Sequence, residues 1–304
     1  MLDVRRLRLL VELSQRGTIA AVAAALHMSP SGISQQLALL EREAGTPLLE
    51  RIGRGVRLTE AGQRLAERGT DIIAALESAQ TELRSPEKPP TGTCRVAAFS
   101  SAARALIPAL LDCQRRHPGL RVELVESEPE VAVPALLTGD FDLVVSEEYP
   151  SGTTTLPRHV HREVLAEDAL EIVVATSLLG GRDVARAAKT LPWALEPEGA
   201  ASRSWAVQHC QGLGFSPTVQ YESYDLNLLL MLVHQSAAAS ILPRLVLPPQ
   251  RETASLVRLT TGWSRRLVAL TRRARTGDPS VAAVRRSLHE QFDDSAVSVT
   301  DRLQ

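Results

Sequence analysis

The chain has 304 residues, a length that predicts more than one domain. Its 34 basic and 35 acidic side chains nearly cancel, which excludes a global electrostatic attraction to nucleic acid, so any basic surface must be local. The longest apolar runs, IAAVAAAL and LLLMLV, are too short for a membrane span, and no signal-peptide stretch follows MLDVRRLRLL. We therefore expect a cytoplasmic protein without membrane contacts.

The first segment has the apolar spacing of short helices. Gly17 is expected to end the first helix, and Thr18 has the side chain of an N-cap for a second, alanine-rich helix through about Leu26. The positions that mark the buried side of the first helix are Leu7, Leu10 and Val11. Small residues in the second helix allow the two helices to approach closely.

The stretch HMSPSGISQQLALLERE predicts a third helix with two different faces. Ser29 is a suitable N-cap, and Pro30 falls at the first helical position, where its missing N–H costs nothing. The positions expected to be buried are Ile33, Leu37, Leu40 and Ala44. The opposite face carries Ser31, Ser34, Gln35, Ala38 and Arg42.

Two helices joined by a short turn, with short polar side chains on the second, are typical of a helix-turn-helix. Small side chains allow such a helix to lie close to base edges in a major groove, where Gln35 could make a paired contact with adenine. The alternative is a solvated face in an ordinary helical subdomain, although such faces usually carry Glu and Lys.

The next stretch, LLERIGRGVRLTEAG, predicts a small hairpin, or wing. Its basic residues, Arg51, Arg54 and Arg57, lie across a turn that contains two glycines. Arg54 stands between those glycines and can approach a phosphate or a narrow minor groove without steric conflict. Residues 1–58 carry eight arginines against five acids, so the basic charge is local to this module. Each arginine alone could also belong to an ordinary charged loop.

The sequence AAVAAALHMSPSGISQQLALLEREAGTPLLERIGRGVRLTEAG, residues 20–62, resembles the winged helix-turn-helix of LysR-type transcriptional regulators. Pro30 replaces the usual glutamine after the capping serine, so one common base-reading side chain is missing, and Gly32 replaces the usual alanine. The resemblance implies a bacterial regulator of transcription that binds a promoter or operator in double-stranded DNA, with RNA polymerase as a further partner. Our candidates for DNA contact are Thr18, Ser29, Pro30, Ser31, Ser34, Gln35, Arg51 and Arg54.

A long helix is predicted after the wing. Thr59 resembles an N-cap, and the helix runs to about Leu83. Its apolar positions repeat at four and three residues, which is a heptad seam: Leu65, Gly69, Ile72, Leu76, Ala79 and Leu83. The helix could pack on its own domain, but the family resemblance implies pairing of two copies, in a homodimer or homotetramer. Our candidates for dimerisation are Leu65, Ile72, Leu76 and Leu83.

The remaining sequence alternates strands with helices, which indicates an α/β domain. We expect an α+β multidomain chain. Its segments are a winged helix-turn-helix at residues 1–58, a linker helix at 59–84, a hinge at 85–93, an effector-binding domain at 94–292 and a flexible tail at 293–304. The resemblance implies two α/β subdomains like those of periplasmic binding proteins: subdomain I at about 92–163 plus 264–292, and subdomain II at about 164–263. The hinge is expected to be too flexible to transmit strain, so a signal would pass through subunit packing.

A small-molecule effector is expected in a cleft between the subdomains, off the C-terminal ends of the strands. By position, the cleft is lined by Ser100, Ser101, Ser127, Ser146, Ser202, Arg203 and Tyr224. Helix starts near Ser100 and Ser202 could bind an anion, which predicts an anionic or carboxylate effector. The serines at 100 and 101 could instead only cap a helix, and Arg203 could be a surface arginine.

Two other functions stay open at this point. A thiol redox sensor would need Cys113 or Cys210 to be exposed with a lowered pKa, whereas a buried, inert thiol is the simpler interpretation. An enzyme with a DNA-binding head is the other alternative, but no P-loop, Rossmann fingerprint, nucleophile elbow or metal motif is present. We therefore predict no catalytic residues, no metal site and no cofactor.

Overall fold

The computed structural model describes residues 1–53, 55–83, 89–150, 156–248 and 255–300. It begins with the predicted helix-turn-helix, formed by α1 (Val4–Arg16), α2 (Ile19–Ala25) and α3 (Pro30–Ala44). The predicted caps are confirmed, because Thr18 Oγ1 accepts a hydrogen bond from Ala21 N and Ser29 Oγ accepts one from Gly32 N, both at 3.1 Å. Gly17 ends α1 with a φ of 76°, in the left-handed region that favours glycine.

The wing is an antiparallel hairpin of β1 (Leu49–Ile52) and β2 (Gly55–Leu58). Glu41 joins this hairpin to α3, because its Oε1 accepts hydrogen bonds from Leu48 N at 2.8 Å and Leu49 N at 3.0 Å. The three helices and the wing pack around one apolar core. Its buried members include Leu10, Leu13, Val22, Ile33, Leu37 and Leu40. Since the apolar side of α3 is used in this core, its serine and glutamine face points outward.

Helix α4 (Glu60–Glu82) starts at the predicted N-cap, where Thr59 Oγ1 accepts a hydrogen bond from Gly62 N at 3.0 Å. A Cβ on Gly62 would lie only 2.1 Å from Leu48 O, so the close approach of α4 to the wing requires glycine. Leu65 packs on the helix-turn-helix core, and Gly69 lies against side chains of α1. Leu65 is only partly buried by its own domain, so its role as a dimerisation residue stays a prediction.

The second domain is built on a six-stranded sheet in the order β4-β3-β5-β10-β6-β9 and a smaller parallel pair, β7-β8. Its strands are β3 (Gly92–Ala98), β4 (Leu120–Glu126), β5 (Leu143–Glu148), β6 (Val160–Ala175), β7 (Pro192–Leu195), β8 (Thr218–Glu222), β9 (Ser240–Pro243) and β10 (Leu256–Arg272). Its helices are α5 (Ser100–Arg116), α6 (Pro129–Thr138), α7 (Val184–Ala188), α8 (Ala201–Gly212), α9 (Leu226–His234) and α10 (Pro279–Thr300).

Two long antiparallel strands, β6 and β10, run through both halves of this domain. The second half of β10 pairs with β5 in subdomain I, and the second half of β6 pairs with β9 in subdomain II. Their mutual register shifts between Thr260 and Ser264 and again between Leu267 and Val268. Each half has its own apolar core, so the cleft lies where these strands cross from one core to the other.

The helix-turn-helix domain and α4 also pack directly on subdomain I. Three ion pairs span this boundary: Arg16 with Asp140 at 2.7 Å, Arg272 with Glu77 at 3.1 Å, and His159 with Asp71 at 2.9 Å. The expectation that a signal could pass only through subunit packing is therefore corrected, since the hinge is not the only connection between the domains.

Helix α10 continues through Thr300, although the sequence predicted a flexible tail from residue 293. The reason is that no proline or glycine follows Phe292 to end the helix. Residues 301–304 of that predicted tail lie outside the described residues. Within the described ranges, no helix is both long enough and apolar enough to cross a membrane.

Candidate DNA interface and ligand cleft

The outward face of α3 offers free hydrogen-bonding groups at two positions. Ser34 Oγ already donates to Pro30 O at 2.9 Å, and Ser31 Oγ lies 3.2 Å from Ser29 Oγ, so these hydroxyls are used locally. Gln35 and Arg42 are exposed on the same face. Arg42 was not among the predicted DNA contacts, although the helical spacing of the sequence placed it on this face.

The start of α2 and the wing form a shallow groove beside that face. Thr18 lines the groove together with Gly55 of β2. Because Thr18 Oγ1 accepts its hydrogen bond from the backbone, the hydroxyl proton can still be donated to a phosphate. Arg51 is exposed at the wing, whereas Arg57 is held by Glu50 at 2.6 Å. Arg54, the remaining predicted contact, lies outside the described residues.

The cleft is organised around one buried cation, Arg265 on β10, which is 1% exposed. Its Nη1 donates to Glu147 Oε2 at 2.5 Å, and its Nε and Nη2 donate to Asp168 Oδ2 at 3.0 and 2.8 Å. Nη2 also donates to Ser101 Oγ at 3.1 Å, and the guanidinium lies 5.2 Å from the ring centroid of Phe99. The role of Arg265 could not be recognised from sequence, because its partners are 97 to 164 positions away.

The predicted serines of subdomain I are largely used inside the protein. Ser100 and Ser101 are buried at the start of α5, and Ser101 is committed to Arg265. Ser146 is buried on β5. Ser127 follows β4, its N donates to Ala98 O at 3.0 Å, and its side chain also lines the groove between the helix-turn-helix domain and subdomain I. Because β3 pairs with both β4 and β5, these four serines lie at the C-terminal ends of neighbouring strands, and their role in binding an effector stays a prediction.

On the side of subdomain II, the predicted residues are also divided. Ser202 and Arg203 line a small cavity of about 20 Å³ with Glu196. Arg203 is paired, with its Nη2 3.5 Å from Glu222 Oε1, so it offers no free charge to an anion. Tyr224 is exposed at 46% just before α9 and does not line this cavity.

Two partly buried carboxyl groups of this domain, Glu196 and Glu128, have raised pKa values. Burial and the nearby Glu147 raise the pKa of Glu196 to about 7, against the opposing effects of Ser202 and Arg265. Burial and Glu147 likewise raise the pKa of Glu128, which precedes α6, to about 7. The anionic or carboxylate nature of the effector stays a prediction.

The cysteines do not fit a thiol sensor. Cys113 and Cys210 are fully buried, as is Cys94. Burial raises the pKa of the Cys210 thiol to about 12, whereas a reactive thiol needs a lowered pKa and access to solvent. The redox alternative is therefore not supported by the environment of these residues. Within the described residues, no cluster of His, Cys, Asp and Glu could hold a metal ion.

The raised pKa of Glu196 predicts a dependence of stability on pH. Between the unfolded value of 4.5 and the folded value of about 7, the folded protein binds the extra proton, so its stability falls as the pH rises through this range. Glu196→Gln removes the ionisation and should stabilise the protein at pH 8 by about 2 kcal/mol, with the gain lost by pH 4.5.

Urea unfolding of the wild type and this variant, at several pH values, measures the difference. The matched control is Glu198→Gln, an exposed neighbour that should change stability little at any pH. A stability difference between Glu196→Gln and wild type that does not vary with pH would contradict the raised pKa of Glu196. The ionisable neighbours that set the shift are Glu147 on β5, Arg265 on β10 and Glu128 before α6.

Comparison with known proteins agrees with the two domains described above, the helix-turn-helix domain and the α/β domain that contains the cleft. The family model described as LysR substrate binding domain matches residues 87–293, and the one described as Bacterial regulatory helix-turn-helix protein, lysR family, matches residues 4–63. A curated relative, the transcriptional dual regulator GltC of Bacillus subtilis (strain 168), is 25% identical over 245 residues, which cover 80% of this chain and 81% of GltC.

Solved structures show the same fold. ArgP from Mycobacterium tuberculosis is similar with a TM-score of 0.65 at 16% identity, covering 96% of this chain and 98% of that chain. Full-length CbnR complexed with its target DNA is similar with a TM-score of 0.51 at 21% identity, covering 96% of this chain and all of that chain (100%). At these identities the likeness is one of fold alone. Because a family model covers more than half of the sequence, the chain belongs to the LysR family of bacterial transcriptional regulators.

Proposed function

We propose that the chain is a transcriptional regulator that binds an operator in double-stranded DNA and is controlled by a small molecule bound in the cleft. The observation that carries this proposal is the direct packing of a helix-turn-helix domain on the domain that contains the cleft, through three ion pairs. It acts as a regulator rather than as an enzyme, in the compartment that holds the chromosome, and RNA polymerase is proposed as a further partner.

In the complex with DNA, α3 enters the major groove with its outward face against the base edges. Gln35 is the base-reading residue of this proposal, since its amide is exposed and can pair with adenine. Arg42, Arg51 and Thr18 would contact the phosphate backbone, because they flank that face or lie at the adjoining wing. Arg54 is proposed as a further phosphate contact from its place between two glycines in the sequence. Ser29, Pro30, Ser31 and Ser34 form the start of α3, where a short polar surface allows close approach to the groove.

Two copies are proposed to pair along α4. Ile72, Leu76 and Leu83 form an exposed apolar stripe, at 42%, 45% and 87% exposure, on the part of α4 that its own domain leaves uncovered. Pairing of two such stripes buries apolar surface and places two α3 helices on neighbouring half-sites. A homodimer is the minimal unit, and association of two dimers would give the tetramer that is typical of LysR structures.

The effector is proposed to act by closing the cleft. A ligand that contacts both subdomains binds the closed form better than the open form, and shifts the equilibrium by that difference in affinity. Subdomain I carries Asp140, Arg272 and His159, which contact the helix-turn-helix domain and α4. A movement of subdomain I can therefore reach the DNA-binding domain through these contacts as well as through subunit packing.

Gln35→Ala should change which sequence is preferred, whereas Arg51→Ala should weaken binding to every sequence. The loss of a base contact is expected to cost about 1–3 kcal/mol on the operator and little on a scrambled duplex. The loss of a phosphate contact should lower affinity for both duplexes and reduce the slope of log affinity against log salt by about one. Fluorescence anisotropy at two salt concentrations measures both effects. Equal losses on the two duplexes for Gln35→Ala would show that Gln35 positions the protein rather than reads a base.

Leu76→Glu should separate the paired copies, because it places a charge inside the apolar stripe of α4. Gln63→Glu is the matched control, since it adds the same charge at an exposed position of the same helix outside the stripe. Sedimentation velocity of the full chain should show a smaller species for Leu76→Glu only. An unchanged assembly in Leu76→Glu would refute pairing through this surface.

A further inference from the structure

The flank of α3 that faces α1 carries a polar clasp centred on Arg6. Arg6 Nε donates a hydrogen bond to Gln36 Oε1 at 3.0 Å, and its Nη1 pairs with Glu43. These two residues of α3 are seven positions apart, which is about two helical turns, so both lie on the same flank. Glu43 is itself held, because its Oε2 accepts a hydrogen bond from Asp3 N at 3.1 Å. The Arg6 side chain is therefore fastened along α3 at two points.

This clasp fixes the orientation of the Gln36 amide. An arginine side chain only donates hydrogen bonds, so the carbonyl oxygen of Gln36 must face Arg6, and the amide nitrogen faces away from it. That nitrogen carries two N–H donors. Among the described residues, none accepts a hydrogen bond from it, and the protein does not enclose it, since Gln36 is partly exposed. Gln36 thus presents only donors to a partner outside the chain.

The open side of Gln36 is directed toward the N-terminal end of α3. Side chains of a helix lean toward its N-terminus, so Gln36 lies over the turn that contains Gly32. Gly32 leaves this space unfilled, because in the described chain only Ser29 Oγ would come within 4 Å of a Cβ there, at 3.0 Å. The N-terminal part of a recognition helix is the part that contacts base edges. A DNA group can therefore approach the Gln36 amide without meeting a side chain at position 32.

The chemistry of this amide suits a phosphate oxygen rather than a base. A glutamine reads adenine with both ends of its amide, the oxygen accepting and the nitrogen donating. The Gln36 oxygen is already used by Arg6, whereas Gln35 is exposed and has neither end engaged within the described chain. Gln36 also lies about 100° around the helix from Gln35, at the edge of the outward face, where the sugar-phosphate backbone borders a major groove. Phosphate oxygens accept hydrogen bonds and never donate them.

We propose that Gln36 is a DNA-backbone contact, with its amide nitrogen donating to a phosphate oxygen at the edge of the major groove. Arg6 is the positioning residue that holds the amide in this orientation and acts through Gln36. This inference rests on the proposed entry of α3 into the major groove. It assigns different roles to two adjacent glutamines, since Gln35 reads sequence and Gln36 fixes the helix on the backbone.

The first experiment uses Gln36→Glu in the full-length protein. This substitution keeps the shape and the oxygen that faces Arg6, but it replaces the two donors by a second acceptor. The probes are a duplex selected by the wild-type protein from random sequences and a scrambled duplex of the same composition. We expect affinity to fall by about tenfold or more on both duplexes, with the ratio between them unchanged. Gln63→Glu is the matched control, because it adds the same charge at an exposed position of α4 and should bind as the wild type does.

The possible outcomes of this experiment are distinct. An affinity of Gln36→Glu equal to that of the wild type on both duplexes would overturn the contact. A loss confined to the selected duplex would show that Gln36 reads a base, and would overturn the phosphate assignment. Failure of the proposed function would differ from both, since the wild type itself would then bind the two duplexes equally or not at all.

A charge-free variant separates the loss of a hydrogen bond from added repulsion. Gln36→Met has a similar length and adds no charge, and it should lower affinity about three- to tenfold on both duplexes. The slope of log affinity against log salt should stay as in the wild type, because an uncharged donor releases no counterion. Arg51→Ala, by contrast, should lower this slope by about one. Wild-type affinity of Gln36→Met would overturn the proposal.

The second experiment tests whether Arg6 acts through Gln36. Arg6→Met removes the clasp, and Arg5→Met is the matched control, because it removes the same charge at an exposed neighbouring position. Arg6→Met should weaken binding to both duplexes about threefold more than Arg5→Met does. In protein that already carries Gln36→Met, the two arginine variants should have equal effects. A larger effect of Arg6→Met in that background would show that Arg6 contacts DNA directly, and would overturn its positioning role.

Glu43→Gln is the second variant, for the case in which Arg6→Met lowers the unfolding temperature. It loosens Arg6 from one of its two partners and leaves every arginine in place. Its loss of affinity should be smaller than that of Arg6→Met, and should disappear in the Gln36→Met background. A loss that persists in that background would also overturn the positioning role of Arg6.

Discussion

The cleft depends on the burial of one guanidinium at the point where the two long strands cross between subdomains. Arg265 joins α5, β5, β6 and β10 through Ser101, Glu147 and Asp168, and Asp168 in turn holds the turn at Leu245. A charge that is 1% exposed is tolerable only with such partners, since removal of one partner of a buried pair costs about 3–5 kcal/mol. Two carboxylates share this cation, so the same contacts that fix the strands leave one negative charge in excess within this buried network.

Strand β10 also connects the cleft to the DNA-binding half of the protein. Arg265 lies at the cleft, and Arg272, seven residues further along the same strand, donates to Glu77 of α4 at 3.1 Å. Arg272 also donates to the carbonyl oxygens of Leu136 and Phe141, which hold its guanidinium in subdomain I while it contacts Glu77 of α4. A rotation of subdomain I about the crossing strands would therefore move the base of α4.

The sequence was sufficient wherever the determining interactions are local. Helix starts at Thr18, Ser29 and Thr59 follow from side-chain caps, and the outward face of α3 follows from helical spacing. The partners of the buried arginine could not be predicted, because they are distant in sequence. Arg265 lies in the basic run SRRL, which looks like a surface segment, and Arg203 is paired with Glu222 from another element. Heptad spacing alone did not reveal that Leu65 is partly covered by the helix-turn-helix core.

The most direct test is a double-mutant cycle between Arg265 and Asp168, measured by urea unfolding of Arg265→Met, Asp168→Asn and the double variant at pH 7. If the buried pair organises the crossing strands, each single variant loses several kcal/mol, and the double variant is more stable than the sum of the two losses by at least about 1.5 kcal/mol. Additive losses would contradict the pairing, and a single variant as stable as the wild type would show that the cleft does not depend on this cation.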